Sequence, residues 1–98
     1  MQYSIADPAQ ADLRSIRAFL KRRGEDAWPT MNRQFRRAFR LIAEAPDIGY
    51  MEPEWTDKPV RFFVVYPYIV AYDPRVKPVT VLGVIHGALD VGRVFKNR

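Results

Sequence analysis

The sequence predicts an α+β domain in the order β-α-α-β-β-β, a helical hairpin packed on a mostly antiparallel twisted sheet. Three observations carry that expectation. The first half repeats its apolar residues at helical spacing, and the second half is a series of β-branched and aromatic runs broken by proline. With 98 residues there is room for one modest core, so the two halves must bury their apolar faces against each other. Residues 1–98 are therefore read as a single domain.

Residues 2–6 alternate polar and apolar side chains and predict a short first strand. Asp7 followed by Pro8 predicts a helix start, with Asp7 as N-cap and Pro8 at the first helical position, where a missing N–H does no harm. Ala11, Leu13, Ile16, Phe19 and Leu20 then mark one face of a helix over 8–22, ended by Gly24. Asp26 is the next N-cap candidate and puts Pro29 in a first turn. Ala27, Met31, Phe35, Ala38, Phe39 and Ile42 continue that helix to about Ala45, before Pro46 and Gly49. Neither helix is long enough to be stable alone, so both must pack on the second half of the chain.

Residues 60–65 form a β-branched and aromatic run containing one charge, Arg61, and Tyr66-Pro67 is a turn. A second strand over 68–72 leads into a proline- and charge-rich connection over 73–78, and 79–86 is the third long strand. These near-continuous apolar runs predict a sheet covered on one face and partly covered on the other.

The absence of cysteine excludes disulfides, thiolate metal sites and a cysteine nucleophile. A single histidine, His86, excludes a multi-histidine metal site and a two-histidine acid–base pair, and no metal is expected. The longest apolar stretch is far short of the roughly 20 residues that span a bilayer, and the N-terminus has no basic stretch followed by an apolar run. A cytoplasmic protein that does not enter a membrane is the expectation. The net charge of +5 favours a polyanionic or acidic partner. That charge is uneven, with nine basic residues against Glu25 and Asp26 between Leu13 and Ala43, and five acids without a base from Glu44 to Asp57.

Arg33, Arg37 and Arg40 share one face of the second helix, either as a surface for an acidic partner or as a solvated face. His86 ends the last strand before Gly87, where it either acts as a general acid or base or organises a turn by a local hydrogen bond. Arg61 faces solvent, meets an anion, or pairs with an acid such as Asp90. Tyr68 and Tyr72 share a strand face and are read as packing residues with solvated hydroxyls. No phosphate-binding glycine loop appears.

The segments Tyr3-Ser4-Ile5, Ala11-Asp12-Leu13 with Ile16, and Ala45-Pro46-Asp47-Ile48-Gly49 occur in that order. They are followed by Val60-Arg61-Phe62, Tyr68-Ile69-Val70-Ala71-Tyr72, and Val81 to Gly87 with Asp90. Together they resemble the RelE/ParE toxin superfamily over nearly the whole chain. The resemblance implies a RelE/ParE-like fold and the toxin of a type II toxin–antitoxin (plasmid stabilisation) system, held inactive by a cognate antitoxin. One branch of the superfamily cleaves mRNA on the ribosome and the other poisons DNA gyrase. RelE-like cleavers carry an arginine directly after the tyrosine matching Tyr68, and here Ile69 stands there. They also use a tyrosine near the C-terminus, where this chain has Phe95. His86-Gly87 and Asp90 are closer to the ParE side, although many relatives have a basic residue where Leu89 stands.

The resemblance thus implies a ParE-type gyrase inhibitor that works by binding, with no cofactor. Its target-contacting stretch is His86 to Phe95, with His86, Asp90, Arg93 and Phe95 as contact residues. Arg33, Arg37 and Arg40, or the adjacent groove, would meet the antitoxin. An endoribonuclease with Arg61, His86 and Arg93 as catalytic residues is the alternative, as is an inactive member that only binds antitoxin.

Overall fold

The computed structural model describes residues 2–96. Its elements are β1 (Tyr3–Ile5), α1 (Asp7–Lys21), α2 (Ala27–Glu44), β2 (Arg61–Val65), β3 (Tyr68–Asp73), β4 (Val79–His86) and α3 (Val91–Lys96). The strands lie in the order β1-β4-β3-β2, with β1 parallel to β4 and the other pairs antiparallel. The expected β-α-α-β-β-β order is present, extended by one helix.

Alternation along the strands builds two cores, one on each face of the sheet. On one face, Phe63, Val65, Val70, Tyr72 and Val81 meet the α1/α2 hairpin through Leu13, Ile16, Phe35, Phe39 and Ile42. Phe35, Phe39 and Ile42 are fully buried, each contributing about 1.5–3 kcal/mol over an exposed position. On the other face, Phe62, Ala71 and Ile85 pack beneath Val91, Phe95 and Trp55. The sheet is covered by the hairpin on one face and partly covered on the other, where Val64 stays exposed, as its apolar runs predict.

Helix boundaries depart slightly from expectation. Ala6 is the N-cap of α1, because its extended backbone continues the strand and its N–H donates to the Val81 carbonyl at 2.9 Å. Asp7 is already helical and makes no side-chain cap, leaving its carboxylate to favour the helix dipole. Asp26 does hold the N-cap position of α2, without a side-chain bond. Gly24 closes the hairpin at φ +143, a conformation that favours glycine. Ala11 and Phe19, expected on the buried face of α1, are exposed, and Ala9 is buried instead.

One long-range bond explains how a three-residue β1 suffices. Among the described residues, no strand pairs with β4 on the β1 side beyond Val81. There the Asp12 carboxylate of α1 accepts from the Val84 N–H at 2.8 Å. A helix side chain thus satisfies a strand donor that the short edge strand does not reach.

Candidate functional site

The segment joining α2 to β2 is held by two side chains. Tyr72 Oη donates to the Pro46 carbonyl at 2.6 Å and accepts from the Gly49 N–H at 2.9 Å. Its hydroxyl is therefore tied into the fold, contrary to the expected solvation, because the 46–49 turn folds over the end of β3. Burial, the largest cause, pushes the Tyr72 phenol up, and the Asp47 charge adds to it, against the Gly49 bond and the Arg61 charge. Gly49 is required by close approach, since a Cβ there would lie 2.5 Å from Tyr72 Oη and 2.8 Å from the Phe62 carbonyl.

Arg61 supplies the second tie. Its Nη1 donates to the Gly49 carbonyl at 2.8 Å and to the Asp47 carbonyl at 3.4 Å. Its ionic partner is Asp47, at 3.8 Å, rather than Asp90. Asp47 is 92% exposed, so this pair adds little and the carbonyl bonds are the stronger hold. Next to this turn Tyr50 exchanges both backbone bonds with Phe62, at 2.8 and 2.7 Å, and covers part of the outer edge of β2.

His86 lies at the other end of the sheet. It pairs across β4 and β3 with Tyr68, their rings edge to face at 5.2 Å. Its Nδ1 accepts from the Ala88 N–H at 3.0 Å and its carbonyl accepts from the Leu89 N–H at 3.0 Å. Gly87 donates to the Pro67 carbonyl at 2.8 Å, and a Cβ there would stand 3.1 Å from the same oxygen. His86 and Gly87 together thus bring the chain off the sheet in a tight turn.

That turn delivers α3. Asp90 Oδ1 accepts from the Arg93 N–H at 3.2 Å, as an N-cap does. Sequence reasoning missed this helix, although Asp90 followed by Val91, Val94 and Phe95 at helical spacing was the available signal. Phe95 is 8% exposed and meets Phe62 edge to face at 5.7 Å. Its ring belongs to the second core, whereas His86 is half-exposed and Asp90 and Arg93 are exposed. Asp90 and Arg93 share the rim of an open cleft of about 550 Å³ with Glu54 and Trp55. His86 lines a separate apolar hollow of about 350 Å³ with Val64, Tyr66 and Ile69.

Arg61 and His86 do not converge. Arg61 is opposite Tyr72 on one side of β3, and His86 is opposite Tyr68 on the other. Four residues along a strand are about 13 Å, and two strand spacings add about 9.6 Å across it. Arg33, Arg37 and Arg40 are all exposed on α2, and Arg33 donates to its neighbour Thr30 at 3.3 Å. Among the described residues no group of three or more histidines, cysteines or carboxylates is placed to hold a metal ion.

A two-helix hairpin packed on this four-stranded mixed sheet defines the α+β class of the fold. Residues 3–91 match the family described as ParE toxin of type II toxin-antitoxin system, parDE. The chain belongs to that family. It is therefore a toxin of the type II toxin–antitoxin class, and an antitoxin is its implied partner. No curated protein matches it. No helix among the described residues is long and apolar enough to cross a membrane.

Proposed function

We propose that this chain acts in the cytoplasm by binding its target, that the target is DNA gyrase, and that a cognate antitoxin neutralises it by direct contact. The separation of Arg61 from His86 carries this reading, because cleavage through a 2′-hydroxyl needs acid, base and phosphate stabilisation at one phosphate. Arg61 is also engaged with two backbone carbonyls, which suits a structural role.

The contact surface for the target is the turn and helix from His86 to Phe95. Asp90 and Arg93 present charge there, His86 shapes the turn, and Phe95 anchors the helix from beneath. The exposed Arg33/Arg37/Arg40 face, or the groove beside it, receives the antitoxin.

Induction without antitoxin, with labelled precursors followed into DNA and protein, tests the target. Early arrest of DNA synthesis with translation running is the expected result. Early arrest of translation would overturn it in favour of mRNA cleavage. His86→Ala separates the two readings again. A binder keeps its toxicity, whereas a nuclease using His86 as acid or base loses about 10²–10⁴-fold in rate.

A further inference from the structure

The α2–β2 connection and α3 meet at Trp55. A Cβ at Gly92, on the buried side of α3, would lie 2.8 Å from Trp55 Cδ1 and 3.3 Å from Trp55 Cα, so helix and connection touch closely there. The Trp55 and Phe62 rings stand edge to face at 4.9 Å, and Phe95 of α3 meets the same Phe62 ring at 5.7 Å. The indole and α3 therefore share one seat on the sheet.

The hydrogen bonds of the connection stay within it. Trp55 and Thr56 N–H groups both donate to the Glu52 carbonyl, at 3.0 and 3.2 Å, and the Lys58 N–H donates to Thr56 Oγ1 at 3.1 Å. Among the described residues, packing of the indole rather than hydrogen bonding thus joins segment 52–58 to α3. Six residues are too few to hold a helix unaided. Val91 and Phe95 hold α3 from beneath, and Trp55 meets it at Gly92.

This contact aligns charge. Glu54 of the connection lines one open cleft with Trp55 and with Asp90, Arg93 and Lys96, and all four charged residues are exposed. The two carboxylates repel a phosphate backbone, whereas a polypeptide segment carrying both signs pairs with the whole rim.

We propose that Trp55 is a positioning residue for target contact. Its indole locks α3 to segment 52–58, so that Glu54, Asp90, Arg93 and Lys96 present one two-walled surface to a protein segment of mixed charge. The inference rests on the target-contact reading above and extends that surface onto the α2–β2 connection.

Amide exchange on the full chain tests the lock, and inhibition of purified DNA gyrase and growth arrest on induction test its use. Trp55→Ala speeds exchange across 92–96 by about tenfold or more, from the lost ring pair and the apolar area beneath it. Its half-inhibitory concentration against supercoiling rises about tenfold, as when the contact-competent arrangement falls to about one part in ten, and growth arrest weakens in the same order. Trp55→Phe keeps a ring on Phe62 and recovers most of both. Asp12→Ala, which loses a bond between α1 and β4, lowers global stability and keeps inhibition, separating position from stability. Glu54→Lys leaves exchange at 92–96 unchanged and weakens inhibition by about threefold or more. Gyrase slows exchange over both 54–58 and 92–96, and a DNA duplex alone slows neither.

The proposal is overturned if Trp55→Ala leaves α3 exchange unchanged, if Asp12→Ala loses as much activity as Trp55→Ala, if Glu54→Lys is fully active, or if the duplex alone protects 92–96. Should Trp55→Ala not fold, Trp55→Phe and Glu54→Lys decide by the same measurements. A native chain that arrests growth without inhibiting supercoiling overturns the gyrase reading only, and growth arrest then ranks the same variants.

Discussion

Replacing Tyr72 by phenylalanine isolates the bond that fixes the α2–β2 connection. The ring stays, so the packing of this fully buried side chain is preserved and only the hydroxyl is lost. The Pro46 carbonyl loses its donor at 2.6 Å, and the buried Gly49 N–H loses its acceptor at 2.9 Å. A neutral hydrogen bond nets about 1 kcal/mol, and a buried donor left unpaired costs about 1–3 kcal/mol. Pro46 is half-exposed and recovers water, so the Gly49 donor dominates and the expected loss is about 2 kcal/mol. For a domain of this size that corresponds to a fall in Tm of about 8–16 °C. Urea and thermal unfolding measure it, with Tyr66→Phe as control, since Tyr66 is 84% exposed and should change stability by less than about 0.5 kcal/mol. A loss for Tyr72→Phe no larger than that control would refute the reasoning.

The same variant has an alkaline signature. Burial raises the Tyr72 pKa, so the native state holds the neutral phenol more firmly than the unfolded chain does. That contribution is fully present below the ordinary tyrosine value and is lost as pH rises through the higher native one. Tyr72→Phe removes this share of the alkaline loss, and the shares of Tyr50 and Tyr68, also raised chiefly by burial, remain.

The packing and ion pairing set three further outcomes. Asp12→Ala removes the acceptor of the Val84 N–H and should cost about 1–3 kcal/mol in urea unfolding, with faster amide exchange at Val84. Gly92→Ala should destabilise by about 1–3 kcal/mol despite alanine's better helix propensity, because its Cβ would meet Trp55 Cδ1 at 2.8 Å; tryptophan fluorescence and Tm report it. The Arg75 side-chain bond, the largest cause, lowers the Asp73 pKa, so Asp73 stabilises the fold above the ordinary aspartate range. That stability is lost as pH falls through the lower native value, and Asp73→Asn should flatten this part of the acid unfolding curve.

Most of the architecture is readable from local pattern. The spacing of Leu13 and Ile16, and of Met31, Phe35, Phe39 and Ile42, identifies the two buried helix faces, because 3.6-residue periodicity is a property of the chain itself. The runs at 60–65, 68–72 and 79–86 become three strands with ends within a residue or so. The Ala11 and Phe19 positions fail for a simple reason. Which part of an amphipathic face is covered depends on where the sheet lies, and β1 enters α1 directly through Ala6.

Composition and periodicity establish a basic α+β fold with a cationic hairpin, since these depend only on residue type and spacing. The choice of partner for each polar group was settled by tertiary structure. Arg61 meets Asp47 and two carbonyls instead of Asp90, Tyr72 closes the 46–49 turn, and Asp12 reaches Val84 across 72 residues of chain. The cap at Asp90 that starts α3 was local and legible, whereas the burial of Phe95 on Phe62 was not. Hydrogen bonds and ion pairs act over a few ångströms, and only the folded chain brings residues distant in sequence that close.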